Sequence, residues 1–335
     1  MTLELTLSCD NSDLNRALLN GEVEPDGIDL MTTVTYPPKR HRDFFRNQHV
    51  DICEVGLASY LSSRDSPEEY PFTAIPVFPS KQFRHAFFYT HADADFDDVS
   101  DLNGARIGVQ SWQTAANVWT RGILGEQYGL DLDSVEWYRR REDDVPVELP
   151  ERFEIQPVPG VQDGDAIEEP KDMQRMLADG ELDAAMDPSE TLLRAAAESE
   201  EIEFVFDEPR KEERAYFEDT GIHPPMHVIA IRDELLDTHP WVARSVYDAF
   251  CDARDRALEW NERPLYHMSI VWAHLYLIDE RELFGEDLWE YGLTEKTRRE
   301  LETFSRYAAE QGLVEQSYDP GDLFVDIDTE RAGHD

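Results

Sequence analysis

The stretch that decides the fold is Phe78-Pro-Ser-Lys-Gln-Phe-Arg-His-Ala-Phe-Phe-Tyr-Thr90. It places a fixed cation, Arg84, and a titratable imidazole, His85, at the start of an aromatic run of the β type. One half of an α/β lobe precedes it, and a new series of strands and helices follows. We therefore interpret it as a strand that crosses between two lobes. Successive side chains of a strand face opposite ways, so a regular strand would present only one of these two residues to a given cleft.

Strand and helix patterns alternate before this crossing. In order, they predict a strand over 3–7, a capped helix over 14–18, a strand over 27–34, a helix from 37 and a strand over 50–55. This order predicts a parallel sheet, and such sheets bind ligands beyond the carboxyl ends of their strands. We therefore expect site residues within 8–12, 36–42 and 54–59.

A similar series follows the crossing. It comprises a strand ending at 109, a helix over 111–127, an irregular connection over 139–170, a helix over 171–177, and strands over 182–186 and 202–206. The run 224–231 is predicted to cross back, and helices continue to Gly312. The prediction is an α/β fold of two lobes joined by two crossing strands. Residues 1–90 with 226–335 form lobe 1, and residues 91–225 form lobe 2.

Composition narrows the class of protein. The 335 residues carry 73 acids against 31 bases, a formal charge of −42, which argues against nucleic-acid binding. Only five of the bases are Lys, and the acids are dispersed, as is typical of a salt-adapted, haloarchaeal-type surface. The chain starts directly with strand alternation and has no apolar run of membrane-spanning length. We expect a cytoplasmic protein without membrane insertion, for which a homo-oligomer stays open.

Familiar catalytic motifs are missing from the sequence. Pro224 and Pro225 separate His223 from His227, so the two histidines cannot share a helix face as in a zincin, and there is no P-loop, nucleophile elbow or dinucleotide fingerprint. Neither a metal nor an organic cofactor is expected. The remaining candidates are polar residues around a cleft, each of which has a capping or core role as its alternative: Arg42, Glu54, Ser59, Arg84, His85, Ser111, Gln113, Thr114 and His227. Among them, Gln113 and Thr114 lie at a predicted helix N-terminus, where free amides favour an anion.

The chain resembles the 4,5-dihydroxyphthalate decarboxylase family, which is similar in fold to type II periplasmic binding proteins. The resemblance is carried by Arg16–Leu30, Asp51–Tyr60, Ala74–His85, Trp119–Leu124, Tyr128-Gly129, Met226-His227 and His239–Ala243. Its most specific part is Pro76-Val-Phe-Pro-Ser-Lys-Gln-Phe-Arg-His85.

The resemblance implies cofactor-free, non-oxidative decarboxylation of a hydroxylated aromatic acid of the phthalate type, whose ring carbon is protonated before CO2 leaves. For this reaction we predict His85 as the general acid, Glu54 as the residue that orients it or contacts a ring hydroxyl, and His227 as a second acid. Arg84 and the helix end at 111–114 are predicted to hold carboxylate, with Ser59 and Arg42 as further contacts. Two alternatives remain: a non-catalytic binder or sensor of a small organic anion, and a step in the biosynthesis of a thiamine-type pyrimidine.

Overall fold

The computed structural model describes residues 2–94, 96, 98–153, 155–159, 173–285 and 288–327. Contacts divide the chain into two compact units. Unit 1 comprises Met1–Lys81, Pro225–Glu302 and Tyr318–Asp335, and unit 2 comprises Gln82–Pro224 and Thr303–Ser317. Most of the predicted irregular connection beyond 159, the start of the helix predicted at 171 and the acidic tail beyond 327 lie outside the described residues.

The strands are β1 (Leu3–Cys9), β2 (Ile28–Val34), β3 (Ile52–Gly56), β4 (Phe72–Ile75), β5 (Phe88–His91), β6 (Arg106–Val109), β7 (Glu136–Arg139), β8 (Ile155–Pro157), β9 (Ala184–Met186), β10 (Ile202–Phe204) and β11 (His227–Arg232). The helices are α1 (Asp13–Leu19), α2 (Pro37–Asn47), α3 (Leu57–Ser63), α4 (Ala115–Tyr128), α5 (Met173–Ala178), α6 (Glu190–Glu198), α7 (Pro209–Thr220), α8 (Asp233–Thr238), α9 (Trp241–Asn261), α10 (Pro264–His267), α11 (Ala273–Phe284), α12 (Glu295–Glu310) and α13 (Pro320–Leu323). Among the described residues, no helix is both long enough and apolar enough to cross a bilayer.

Unit 1 is built on a five-stranded sheet of order β2-β1-β3-β11-β4. Strand β1 pairs in parallel with β2 and β3, as the alternating sequence pattern predicts, whereas β11 lies antiparallel between β3 and β4. Every residue of β3 is buried, because this strand has neighbours on both sides and helices on its faces. The predicted cap of α1 is present, since Oγ of Ser12 accepts from the backbone N of Asn15 at 3.3 Å.

Unit 2 is built on a six-stranded sheet of order β10-β5-β9-β6-β7-β8. Helix α4 follows β6 and ends at Gly129, whose left-handed φ of +72° lets its N–H bond the carbonyl of Leu124. Gly122 of the same helix leaves room for Tyr307, because a Cβ there would lie 2.2 Å from the tyrosine ring. The helix therefore packs closely enough against Tyr307 that only glycine fits.

The chain segments at the first two unit boundaries pair with each other. The backbone N of Met226 donates to the carbonyl of Ser80 at 2.8 Å, and the backbone N of Gln82 donates to the carbonyl of Pro224 at 2.9 Å. The first boundary lies between Lys81 and Gln82, earlier than the predicted boundary after position 90. The reason is that β5 pairs with β9 and β10, which places 88–91 in the sheet of unit 2.

The prediction of a regular strand from Arg84 onward is wrong. His85–Phe87 form a 3₁₀ turn, in which the backbone N of Phe87 donates to the carbonyl of Arg84 at 3.1 Å. The backbone N of Ala86 bonds Oε1 of Glu213 at 3.2 Å instead of a neighbouring strand. Strand alternation therefore begins only at Phe88 and does not decide which way Arg84 and His85 point.

The chain returns to unit 2 near its C-terminus, which the sequence patterns did not indicate. Residues 303–317 belong to unit 2, although the prediction placed all of 226–335 in lobe 1. Within unit 2, Phe304 packs on Trp119 with ring centroids 5.3 Å apart, and Gln311 accepts from Nε of Arg121 at 2.7 Å. These contacts fix the second half of α12 in the core of unit 2.

Candidate functional site

Polar side chains from distant parts of the chain meet at the carboxyl edge of the unit 1 sheet. Asp10 directly follows β1, Glu54 lies on β3, and His227 opens β11. In the antiparallel pairing of β11 with β3, His227 lies opposite Gly56 and Ile229 lies opposite Glu54. Alternate residues of a strand share a face, so His227 and Glu54 are diagonal neighbours on one face of the sheet. The strand register thereby brings Nδ1 of His227 to 2.6 Å from Oε1 of Glu54.

Arg40 of α2 joins the two carboxylates of this edge. Its Nη1 and Nη2 donate to the two oxygens of Asp10, at 2.8 and 3.1 Å, and its Nε donates to the backbone carbonyl of Glu54 at 2.9 Å. Nη2 also lies 3.5 Å from Oε1 of Glu54. Burial by itself would lower the pKa of Arg40, but Glu54 and Asp10 outweigh burial and raise it, so the guanidinium stays charged. The planar fork of arginine thus fixes Asp10 and Glu54 relative to each other.

The carboxylate of Glu54 is buried and already bonded on both oxygens. Oε2 accepts from the backbone N of Asp10 at 2.8 Å and from Nδ2 of Asn15 at 3.4 Å, while Oε1 faces His227 and Arg40. Burial raises the pKa of Glu54, but Arg40 and the hydrogen bond from His227 outweigh it and lower that pKa to about 2. Glu54 is therefore ionised at neutral pH, and its oxygens act only as acceptors.

The ionised Glu54 determines the tautomer of His227. Because the carboxylate can only accept, Nδ1 of His227 carries the proton of their hydrogen bond, and Nε2 is the ring nitrogen left to exchange a proton with a ligand. The side chain of His227 is 17% exposed, against 1% for Glu54, so the imidazole is the accessible member of the pair. The ring of His41 packs edge-on against it, with centroids 5.1 Å apart, and restrains its plane.

Ser59 lies at the same edge, as the sequence predicts, in the first turn of α3. A Cβ built on Gly56 would be 4.0 Å from Oγ of Ser59 and 3.5 Å from Nδ1 of His41. Because position 56 has no side chain, Ser59 and His41 are the side chains that lie next to the backbone of Gly56 at this edge.

Arg40, and not the predicted Arg42, is the arginine of α2 that lies at this edge. The buried face of this helix comprises Arg40, His41, Phe44 and Phe45, and Arg42 lies off that face, with its Nε 4.0 Å from a carboxylate oxygen of Asp43. A helix advances by 100° per residue, so a shift of two positions moves a side chain from one side of the helix to the other. Arg42 accordingly has no contact with Glu54 or His227 in the described residues.

The same edge has the spacing of a cation site. Asp10, Glu54 and His227 each offer one ligand atom, and these atoms lie within 4.8 Å of one another. However, the guanidinium of Arg40 already pairs with both carboxylates, and its charge repels a second cation. The residues are better arranged for proton transfer by His227 than for holding a divalent ion.

Cys53, next to Glu54, is fully buried, and burial raises the pKa of its thiol. A thiolate nucleophile needs the opposite shift in pKa. Cys53 therefore fills space in the core of unit 1.

His85 lies in an aromatic enclosure of unit 2. The rings of Tyr128, Phe206 and Tyr216 surround it, with centroids 5.9, 5.4 and 5.6 Å away, and neither ring nitrogen has a hydrogen-bond partner among the described residues. Burial lowers its pKa to about 4. A general acid works best with a pKa near the working pH, and the hydrogen bond of Glu54 goes to His227 instead. Glu54 therefore orients His227 and not His85, in contrast to the prediction.

Arg84 is buried beside His85, with its guanidinium 5.3 Å from the ring centroid of Phe87. Its Nε and Nη1 have no hydrogen-bond partner among the described residues. Burial lowers the pKa of Arg84 to about 9, although the carboxylate of Glu213 acts in the opposite direction. A buried guanidinium with unused donors is suited to a carboxylate, so the role predicted for Arg84 stays a prediction with support from its environment.

The helix end at 111–114 is less open than the sequence suggested. The backbone N of Gln113 donates to Oδ1 of Asp143 at 2.8 Å, and its side chain bonds both the N–H and the carbonyl of Val145. Oγ of Ser111 and Oγ1 of Thr114 lie 2.9 Å apart, and α4 itself starts only at 115. A carboxylate of the protein already occupies the Gln113 amide, because the loop after β7 folds back over this helix end.

Comparison with known proteins identifies the family. No protein-family model matches the chain. The 4,5-dihydroxyphthalate decarboxylase of Comamonas testosteroni is 30% identical over 329 residues, which cover 96% of this chain and 96% of that protein. The chain belongs to the 4,5-dihydroxyphthalate decarboxylase family. A second protein of that name, from Pseudomonas putida, is 35% identical over 192 residues, covering 56% of this family member and 70% of its relative.

Solved structures establish the fold of this 4,5-dihydroxyphthalate decarboxylase family member. The periplasmic aliphatic sulphonate binding protein SsuA of Escherichia coli superposes with a TM-score of 0.54 at 11% identity, covering 97% of this chain and 93% of that one. A mutant of the desulfurization enzyme DszB, in complex with biphenyl-2-sulfinic acid, gives a TM-score of 0.55 at 16% identity and full coverage of both chains. The predicted two-lobed α/β fold of the periplasmic-binding-protein type is confirmed.

Proposed function

We propose that this protein is a carboxy-lyase that removes CO2 from a hydroxylated aromatic acid of the phthalate type, with His227 as the general acid. The observation that carries the proposal is the 2.6 Å contact between Nδ1 of His227 and Oε1 of the buried Glu54. The names of the two relatives support decarboxylation and suggest 4,5-dihydroxyphthalate as the first substrate to test.

The reaction needs a proton at the carbon that bears the departing carboxylate. The hydroxyl para to that carbon releases its proton to solvent, from which its oxygen regains one after CO2 has left, and it pushes electrons into the ring. The Nε2 proton of His227 is transferred to the carbon. The bond to the carboxylate then breaks, CO2 leaves, and its electron pair restores the aromatic ring. General acid catalysis of this kind contributes typically about 10²–10⁴-fold. The partly exposed His227 regains its proton from solvent.

Glu54 is a positioning residue in this scheme. Its oxygens contact Asp10, Asn15, Arg40 and His227, which leaves no acceptor for a ring hydroxyl. Glu54 was predicted to orient His85, and we propose instead that it orients His227. Asp10 differs, because its side chain is 33% exposed while Arg40 holds it. Asp10 is therefore the carboxylate that we propose accepts the hydrogen bond of a ring hydroxyl.

The excess of negative charge at this edge also bears on the substrate. Asp10 and Glu54 carry two negative charges against the single charge of Arg40. This excess of one negative charge disfavours a carboxylate at the edge and suits a hydroxyl that donates a hydrogen bond. Carboxylate binding is proposed for Arg84, whose unused donors suit it.

A further part of the proposal concerns the setting of the reaction. The formal charge of −42 is dispersed over the sequence. This charge suits a cytoplasm with concentrated salt, where a short Debye length screens the repulsion between the acidic side chains. This surface does not bear on the chemistry of His227.

Decarboxylation in D2O tests the proposal. The protein in concentrated KCl is incubated with 4,5-dihydroxyphthalate, and CO2 and 3,4-dihydroxybenzoate are measured. We expect stoichiometric CO2, one solvent deuterium at the vacated ring carbon, and persistence of turnover in excess EDTA. His227→Gln should lower kcat by roughly 10²-fold or more. His239→Gln, which changes a partly exposed histidine of the same unit next to Thr238, should leave kcat unchanged.

The other outcomes are equally informative. Tight binding of the aromatic acid without CO2 would establish the alternative of a non-catalytic binder. Loss of turnover in His85→Gln but not in His227→Gln would move the proton donor to unit 2 and overturn the assignment made here.

A further inference from the structure

An exposed apolar surface lies on unit 1, at the end of α9 and on the segment through α10 and α11. It is formed by large apolar side chains that are between 52% and 80% exposed, except for Tyr266 at 86%. We term it the 260–278 surface, and its members are Trp260, Leu265, Tyr266, Ile270, Val271, Trp272, Leu275 and Ile278. In the part of the chain that the structure describes, Ala273 is the one buried residue of α11. A helix of a soluble protein ordinarily buries an apolar face, which α11 does not do within this chain.

A ring stack and a groove link several members of this surface. The imidazole of His267 stacks on Trp260, with centroids 3.8 Å apart, and its Nδ1 donates a hydrogen bond to the Trp260 carbonyl, which ties α10 to the end of α9. Between α10 and α11, Leu265, Ile270 and Val271 line a shallow groove of about 190 Å³. The surface therefore contains a groove into which an apolar side chain of a partner could pack.

The size of the surface matches that of a protein interface. An aromatic side chain carries about 150–250 Å², so the three exposed aromatic members and five aliphatic ones present on the order of 1,000 Å². A standard interface buries about 800 Å² per partner, whereas the largest apolar patch of a typical monomer is about 300–600 Å². The surface is thus larger than a monomer normally leaves in water.

Charge indicates what covers it. The segment 264–278 contains no Asp, Glu, Lys or Arg, in a chain whose formal charge is −42. Two copies of so acidic a chain repel each other wherever acids face acids, and this segment is where contact brings no like charges together. A basic partner would instead favour acidic residues, and an anionic membrane would repel the chain. We propose that the 260–278 surface binds a second copy of this chain in a two-fold symmetric dimer.

Light scattering and sedimentation velocity of the full chain in concentrated KCl test the dimer. Wild type should have the mass of a dimer that dissociates on dilution. The double variant Tyr266→Glu, Val271→Glu should raise the dissociation constant roughly 100-fold or more, because each change acts twice in a two-fold interface and buries an unpaired charge. Met31→Glu is the matched control, since Met31 is 55% exposed and lies outside the surface, on β2. It should dimerise like wild type.

Folding and other occupants are controlled separately. Circular dichroism establishes that the double variant is folded; should it not be, Tyr266→Ser, at the most exposed position, replaces it. A wild type that is monomeric at every concentration and salt, or a folded variant that dimerises as tightly as wild type, overturns the proposal. So does binding of the wild type to phosphatidylcholine vesicles that the double variant loses, which would make lipid the occupant.

Discussion

Nδ1 of His227 and Oε1 of Glu54 lie 2.6 Å apart, and the two residues reach each other from adjacent antiparallel strands. Glu54 is buried and ionised, whereas His227 is partly exposed. The two residues therefore differ in role: the carboxylate of Glu54 holds the imidazole in place, and the imidazole of His227 is the member of the pair that a ligand can reach. The role of Glu54 should appear in the chemical step and not in substrate affinity.

Replacing Glu54 by glutamine is expected to lower kcat by roughly 10²-fold or more while KM changes little. The amide no longer supplies the negative charge that stabilises the imidazolium, and an amide that donates to Nδ1 excludes the proton from that nitrogen, so the ring releases its Nε2 proton less readily. The measurement is kcat and KM across pH, and the pH profile of kcat should change shape as well as height. A rise in KM with unchanged kcat would show that Glu54 contacts the substrate.

Glu300→Gln is the matched control for this change. Glu300 is equally buried in unit 1, but its carboxylate pairs with Nζ of Lys81 at 2.6 Å. Breaking a buried pair costs about 3–5 kcal/mol, so this variant should melt at a lower temperature and yet keep the kcat of wild type at temperatures where it is folded. Loss of kcat in both variants would mean that Glu54→Gln acts through stability alone.

The sequence located the edge that holds the site but not all of its residues. The β-α-β order placed 8–12, 36–42 and 54–59 together, and Asp10, Arg40 and Glu54 lie in those three ranges. The start of α2 at Pro37 agrees with the prediction, but which face of the helix is buried depends on its packing against β3, and that face carries Arg40 and not Arg42. The partner of Glu54 depended on the register of β11, which a single sequence does not contain.

Long-range packing explains the other differences. The boundary at 81–82 and the return of 303–317 to unit 2 follow from contacts such as Phe304 with Trp119, which join residues far apart in the chain. The 3₁₀ turn at His85 likewise depends on Glu213, from α7. Local pattern predicted the strands and helices, whereas these features arise from tertiary contacts that override it.

The stability of the protein between pH 6.5 and 4 should depend on His85. Its folded-state pKa of about 4 lies below the ordinary 6.5, so in this window the unfolded chain binds a proton that the folded chain does not. Stability from the neutral ring is thus fully present above pH 6.5 and is lost as pH falls toward 4. At pH 5 the loss is about 2 kcal/mol.

His85→Leu should therefore lose less stability than wild type between pH 7 and pH 5. The measurement is the free energy of unfolding in urea at both pH values, compared as a difference within each protein because leucine also changes the packing. Glu54, with a folded-state pKa of about 2 against 4.5, affects only a lower window. Equal losses in the two proteins would contradict the neutral, buried state of His85.

Arg84→Met should weaken substrate binding without destabilising the protein. The buried guanidinium leaves Nε and Nη1 without hydrogen-bond partners among the described residues, so a thioether of similar length removes a desolvation cost. If Arg84 binds carboxylate, KM should rise roughly 10- to 100-fold, since a hydrogen bond to a charged group contributes about 1.5–3 kcal/mol. The measurements are KM and Tm, and an unchanged KM would remove Arg84 from the binding residues.

Arg121 provides the contrast to Arg84 within unit 2. It is equally buried, but its Nε and Nη2 each donate a 2.7 Å hydrogen bond, to Gln311 and to the carbonyl of Trp112. Arg121→Met should lower Tm and leave KM unchanged. The two variants should thus affect different quantities: KM for Arg84, if its guanidinium binds a ligand, and Tm for Arg121, whose guanidinium stabilises the fold.

Salt should stabilise the protein, because repulsion between acids outweighs the surface ion pairs that salt weakens. Even if every Lys and Arg paired with one acid, 42 acids would have no basic partner. Exposed pairs such as Arg306 with Glu126 contribute only about 0–1 kcal/mol each, so their screening costs little. At about 1 M salt the Debye length is about 3 Å, which removes most of the repulsion.

Tm should therefore rise with KCl. It should rise less in the double variant Asp252→Lys, Glu259→Lys, which reduces the negative charge on the exposed side of α9. A Tm that falls with KCl, or equal slopes in the two proteins, would show that the acids do not set the response to salt.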